Sequence, residues 1–514
     1  MKISSRYLLV TALALIGVTT SAQANVRLPA IISDNMVLQT DQVLPIWGWA
    51  DPGEEVTVSL GSAKVSARAD DKGKWSVKLP AQKASATPVE MTVAGKNSIT
   101  VKNILVGEVW GGSGQSNMEW MVRISADSDK EISEANYPQI RLFLVPKRLS
   151  AVPISDVQAK WVVCSPETIA PNSAVLYFFG REIHKTLNVP VGLITCAWGG
   201  SRVEPWITHA QFESQADLKG ELEAHKKQLA DRVVAWNSYL NAMKMWLEGS
   251  EKAAAAGQEF SEAPALPADA AAQFGSPVAM YNGMVHGIQP FALRGWLWYQ
   301  GESNRGQGMH YTTLKKGLIE SWRKLWGHEF PFLFVQLAPF RYDQNETALP
   351  EIWEAQTATL AVPNTGMAVT TDISTIGDIH PPNKQDVGKR LSRWALAHTY
   401  GKKDLVYSGP LFDSVTFDGN KARIKFKHVG GGLVSRDGKP LSWFSLAGDD
   451  KQFQKAEAVI DGDTVVVTSP AVAKPVAVRF GWNQIAEPNL SNKDGLPASP
   501  FRSDKWSDAK NAPQ

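Results

Sequence analysis

The chain has 514 residues, more than one small core accommodates and enough for about two to four domains. Hydrophobic residues make up 44% and charged residues 20%, an ordinary globular composition, so a disordered or fibrous chain is excluded. A net charge of +2 excludes the strongly basic surface that nucleic acid or an anionic membrane would call for.

At the start, Lys2 and Arg6 precede an apolar run from Tyr7 to Val18, and Ala22-Gln23-Ala24 supplies small residues for cleavage. Residues 1–24 therefore read as a secretory signal peptide, with the mature chain beginning at Asn25 in the periplasm or outside the cell. That run is too short to span a bilayer, and no other segment is long enough.

Residues 25–103 read as short strands such as "EEVTVSL" and "KWSVKL" between turn clusters such as "DPGE", which predicts a small antiparallel sandwich. From 104 to 402 the texture changes. Continuous apolar strands ("ILVGEVW", "VGLITCAW", "LRGWLWYQ", "FLFVQLA") alternate with helical segments ("NSAVLYFFGREIHKTL", "TTLKKGLIESWRKLW"), the pattern of a parallel α/β sheet. An Ala-, Glu- and Lys-rich helical insertion interrupts it at about 210–272, either capping a site or decorating the surface. Strands return over 403–514 as a second β region.

Cys164 and Cys196 both sit in apolar strands, where a bridge and two buried thiols are equally consistent. Cys and His show no zinc spacing, so no structural metal is expected. Most of the 19 tryptophans read as core, with some left to stack on sugar rings.

In a parallel α/β sheet, ligands gather at the carboxyl ends of the strands, and four stretches fall there. In "VWGGSGQSNMEW", Ser116 follows a strand through a glycine-rich turn, as a nucleophile or as a plain helix N-cap. In "CAWGGSRVEPW", a backbone N–H of Gly199 or Gly200 can face an oxyanion, or the pair can be an ordinary turn. Arg202, Glu204 and Trp206 there can line a pocket or serve as a surface pair and a core aromatic. In "LWYQGESNRG", the amide of Gln300 can donate to an oxyanion and Glu302 can accept from a histidine, with Asn304 in the same polar loop. In "GDIHPPNKQDVGKRLSRWA", His380 lies before a stiffening Pro-Pro pair and two residues after Asp378, as a general base requires.

Together, "GQSNMEW", "WGGSRVEPW", "WYQGESN" and "DIHPPNKQDVGKRL" resemble the sialate O-acetylesterase family of SGNH hydrolases. The resemblance covers most of the mature chain, from "LPAIISDNMVLQ" to "PNLSNKDGLPASPFRSD". It implies a flavodoxin-like three-layer α/β/α esterase domain flanked by β modules, and removal of acetyl groups from sugars without metal or organic cofactor. It assigns Ser116 as nucleophile, His380 as base, and the Ser116 and Gly200 amides with Gln300 as oxyanion donors. The acid is Asp378 or Glu302, because many relatives carry Asp three residues before the His, where this chain has Gly377. Arg202, Trp206 and Asn304 are the expected substrate contacts, and the expected partner is an O-acetylated oligosaccharide. Acetylated hemicellulose fragments such as xyloglucan or xylan are the favoured substrate, and 9-O-acetylated sialic acid is the alternative. A non-catalytic carbohydrate-binding protein and a lipase-like esterase are the rival readings. Oligomeric state is not legible.

Overall fold

The computed structural model describes residues 26–267 and 274–506; the segment read as a signal peptide lies outside them. At its centre is a sheet of seven strands in the order Thr365–Ala368, Phe332–Val335, Gly295–Tyr299, Ser98–Gly114, Val191–Ala197, Tyr137–Leu144 and Trp161–Cys164. All neighbours pair in parallel except the last two, which are antiparallel, so the sheet is mixed. Val, Ile, Leu and Trp fill these strands because both faces are covered, which removes the alternation a half-exposed strand would show. On one side of Ser98–Gly114 the chain first lays down Tyr137–Leu144 and Trp161–Cys164 and then inserts Val191–Ala197 next to the centre; it then builds the other side outward. The carboxyl ends of the three central strands therefore flank the point where the strand order reverses.

The central strand is 17 residues long and runs straight through residue 103. Its first half pairs antiparallel with Ser85–Ala94 and parallel with Val37–Gln39; its second half is the middle of the parallel sheet. The polar "VKN" that reads as an end is an irregularity inside a strand. Asn103 sits at φ 54°, and the register slips between Val89 and Met91 opposite.

Helices Ala174–Leu187 and Lys384–Trp394 pack on each other and against the sheet, and Val387, Leu391 and Ala395 face the core as their spacing predicts. A second cluster, with Trp206, Trp296, Trp298, Trp322 and Trp326 ring against ring, fills the space beneath helix His310–Trp326. The long helix Lys219–Ala256 buries only Leu222 and His225, so the insertion stands off the core. Cys164 and Cys196 are buried free thiols, and burial pushes Cys164 up to about 12. Beyond residue 410, antiparallel strands enclose a separate small core around Ile424, Leu446, Val465, Val478 and Phe480. No helix of the described residues is long and apolar enough to cross a membrane.

Candidate active site

Gly114 closes the central strand at φ +133°. A Cβ there would stand 2.2 Å from the Tyr299 carbonyl oxygen, so only glycine lets this strand press against its neighbour and turn. The turn leads into a one-turn helix, Ser116–Glu119. Gln115 occupies the N-cap position without a side-chain cap, so Ser116 is not spent on capping. Its Oγ instead lies 2.8 Å from His380 Nε2. The imidazole is stacked on the Trp120 indole, 4.6 Å between centroids and 16° from parallel. His380 Nδ1 is 3.6 Å from Asp378 Oδ1, the oxygen that also accepts the His380 backbone N–H at 2.8 Å.

Glu302 has other partners. Its Oε1 accepts from Asn117 Nδ2 at 2.7 Å, and its Oε2 is shut off from solvent with no partner among the described residues. Asn117 also donates to the Ile379 carbonyl, next to His380, and accepts from the buried Lys384 ammonium at 2.5 Å. Of the two acids read from the sequence, Asp378 is the one beside the imidazole. Glu302 joins it only through Asn117 and the 379–380 backbone.

Electrostatics follow from this burial. Desolvation and the nearby Lys384 charge hold His380 below its usual range against the opposing pull of Asp378, so the ring is neutral and able to take a proton. Burial lowers Lys384 to about 7 although Glu302 and Asp378 resist, and burial raises Glu302 against its bond from Asn117 and the charge of Lys384.

The glycine pair after strand Val191–Ala197 divides its work. Gly199 lies against Ser116, and its N–H is taken by Glu119 Oε2 at 2.6 Å. Gly200 adopts φ +77°, accepts from Ser303 Oγ at 2.9 Å, and its own N–H donates to no described residue. The Gly200 N–H and the first-turn amide of Ser116 thus donate to no described residue.

Three expected contacts are not brought to Ser116. Gln300 is fully buried, and its Nε2 donates to Asn304 Oδ1 at 2.6 Å and to Gln115 and Ser201 at 3.2 Å, so its amide serves the scaffold. Asn304 is likewise committed, donating to Glu204 and Gln307. Trp206 is wholly buried, edge-on to Trp298, with Nε1 on Ser201 Oγ, so it cannot stack on a sugar. Arg202 does reach the surface, but it is forked onto Glu204 at 2.7 and 3.1 Å. Burial would push Glu204 up; the bonds from Arg202 and Asn304 outweigh it and hold the carboxyl low.

The sequence reading passed over Gln115, Asn117, Trp120 and Lys384, although all four stand inside the quoted motifs. Gln115 Oε1 gathers Gln300 Nε2 and the N–H groups of Gly301 and Ser303, tying the ends of strands Ser98–Gly114 and Gly295–Tyr299 together. No group of His, Cys, Asp and Glu that could hold a metal ion occurs among the described residues.

Comparison with known proteins places the chain among carbohydrate esterases. A family model described as "Carbohydrate esterase, sialic acid-specific acetylesterase" matches residues 265–397. The sialate O-acetylesterase of Mus musculus is 30% identical over 434 residues, 77% of this chain and 77% of that protein. The Homo sapiens enzyme is 28% identical over 448 residues, 79% of this chain and 77% of its own length. Among solved structures, a carbohydrate acetylesterase from Xanthomonas citri aligns with a TM-score of 0.79 and 36% identity, over 94% of this chain and 100% of that one.

The protein is thus a carboxylic ester hydrolase of the carbohydrate acetylesterase class. Within that class, the chain belongs to the sialate O-acetylesterase family.

Proposed function

We propose that Ser116 and His380 carry a two-step acyl transfer that removes O-acetyl groups from sugars. The observation that supports it is the 2.8 Å hydrogen bond between Ser116 Oγ and a neutral His380 Nε2. His380 accepts the Ser116 proton while Oγ attacks the acetyl carbonyl carbon. The Ser116 and Gly200 N–H groups receive the developing oxyanion; such a donor is worth roughly 3 kcal/mol in serine hydrolases. His380 returns the proton to the departing sugar oxygen. It then activates a water that releases acetate and regenerates Ser116. Asp378 faces Nδ1 and favours the tautomer with its proton there, leaving Nε2 free to accept. The domain is read as the SGNH three-layer α/β/α arrangement within 104–402, carried between β modules at 25–103 and 403–514. The enzyme is read as exported.

Two substrates have specific support. The names of the mammalian relatives favour O-acetylated sialic acid. A neutral hemicellulose chain is favoured by Arg202, whose charge Glu204 already balances, and by the aromatic pair Trp198–Phe274 beside Gly200. Acetate release from acetylated xyloglucan, acetylated xylan and 9-O-acetyl sialosides, run side by side with Ser116→Ala, tests both. Release from none of them would remove the sugar esterase reading.

A further inference from the structure

Far from Ser116 in sequence, the C-terminal strands form a cleft of about 990 Å³ where the chain crosses from one sheet to the next. Gln454–Lys455 pairs with strand Phe444–Ala447, and the following Glu457–Asp461 pairs instead with Thr464–Thr468. The crossing parts the two sheets and leaves a trough walled by Trp443, Trp482 and Val459. Trp443 is 40% exposed and Val459 66%, although both are large apolar side chains.

Trp443 also holds a conformation that its own chemistry disfavours. Its φ is 65°, in the left-handed region that bulky residues avoid. The surrounding bonds impose it: Ser442 N–H and Oγ both donate to Asn489 Oδ1, and the Trp443 carbonyl accepts from Gly481 N–H at 2.9 Å. A strained backbone that presents an indole to solvent at the mouth of a cleft marks a ligand contact more readily than a packing role.

The opposite wall is rigid. The Arg502 and Arg479 guanidiniums lie 4.9 and 5.5 Å from the Trp482 ring centroid and are themselves clamped by Glu354 and Asp504. Asn483 and Gln484 bond to Glu346, and Asp343 of the same segment pairs with Arg305, two residues past Ser303 in the active-site loop. Trp482 is therefore held in fixed relation to the catalytic residues.

We propose that this cleft is a second, non-catalytic sugar-binding site, which grips the backbone of a neutral polysaccharide while Ser116 acts on its acetyl groups. Its chemistry fits that class of ligand. Aromatic and aliphatic faces match the C–H faces of a pyranose, Ser442, Ser445 and Asn483 offer partners for hydroxyls, and Lys455 and Glu457 cancel in charge. This rests on the reading of the enzyme as a polysaccharide deacetylase, and the test separates the two.

The experiment is native electrophoresis of the full chain through gels containing xyloglucan, xylan or no polysaccharide, beside turnover of p-nitrophenyl acetate. The parent should be retarded in at least one polysaccharide gel. Trp443→Ala should weaken retardation by about tenfold in apparent Kd and leave p-nitrophenyl acetate turnover unchanged. Trp443→Gly is the folding control: it removes the ring and also relieves the left-handed backbone, so it should bind as weakly while melting no lower than Trp443→Ala. Normal turnover with no retardation in either gel, or equal retardation of parent and both variants, would overturn the proposal and leave the esterase reading intact. Loss of turnover in the parent would count against the esterase reading instead.

Discussion

Ser116 Oγ and His380 Nε2 meet at 2.8 Å although 264 positions separate them in the chain. The contact exists because the central strand ends at Gly114 and the loop before helix Lys384–Trp394 returns to the same edge of the sheet. Ser116→Ala should lower kcat for p-nitrophenyl acetate by at least about three orders of magnitude, as in other hydroxyl–imidazole hydrolases. The thermal melt should stay that of the parent, since Oγ caps no helix. Activity retained by the variant would remove Ser116 from the reaction.

Asp378 and Glu302 should differ in how they fail. Asp378 is exposed, and its Oδ1 is 3.6 Å from the ring, so Asp378→Asn should cost about tenfold to a hundredfold in kcat, with an unchanged melt. Glu302→Gln should act through the buried Asn117–Lys384 linkage, lowering stability together with activity. Equal melts for the two variants would contradict this division.

The pH profile should carry the mark of Lys384. Because burial and that ammonium hold His380 below its usual 6.5, the midpoint of the acid limb of kcat/KM should lie below pH 6.5. Lys384→Met removes a positive charge that disfavours the imidazolium, so the His380 pKa should rise and the acid limb move to higher pH. A limb that stays in place would show that Lys384 does not reach the base.

Lys315 offers a test of stability alone. It is fully buried, its Nζ lies 3.1 Å from the Phe334 ring centroid, and it has no hydrogen-bond partner among the described residues. Burial drives its pKa well below 10.5, so between that lowered pKa and 10.5 the unfolded chain holds more protons than the folded chain. This group makes stability rise with pH until the unfolded amine also titrates near 10.5. Lys315→Met should raise stability by about 1–3 kcal/mol at pH 7 and flatten that slope. Calorimetry at pH 7 and pH 9 checks both effects.

The sugar contact that the sequence suggests for Trp206 should belong to Trp198 instead. Trp206→Ala opens a hole beside Trp298 and should cost about 3–5 kcal/mol of stability. Trp198→Ala, next to Gly199 and Gly200, should leave the melt nearly unchanged and raise KM for acetylated oligosaccharides several-fold. Denaturation and steady-state kinetics on the two variants decide it.

The sequence by itself determined the alternation of strand and helix, the four strand-end motifs, and the pairing of one serine with one histidine. Each of these is a local pattern: apolar runs buried on both faces, glycines where a Cβ would collide, and a stiff Pro-Pro after His380. Only the tertiary structure decided which polar side chains in each motif are free and which are committed to the scaffold. Gln300 and Asn304 look reactive in sequence, yet their amides are used up by Gln115, Ser201, Glu204 and Gln307. Which of Asp378 and Glu302 lies beside the imidazole, the burial of Trp206, and the strand that continues through Asn103 were decided in the same way. Hydrogen-bond commitment and burial depend on what distant segments bring into contact, and residue spacing carries no record of that.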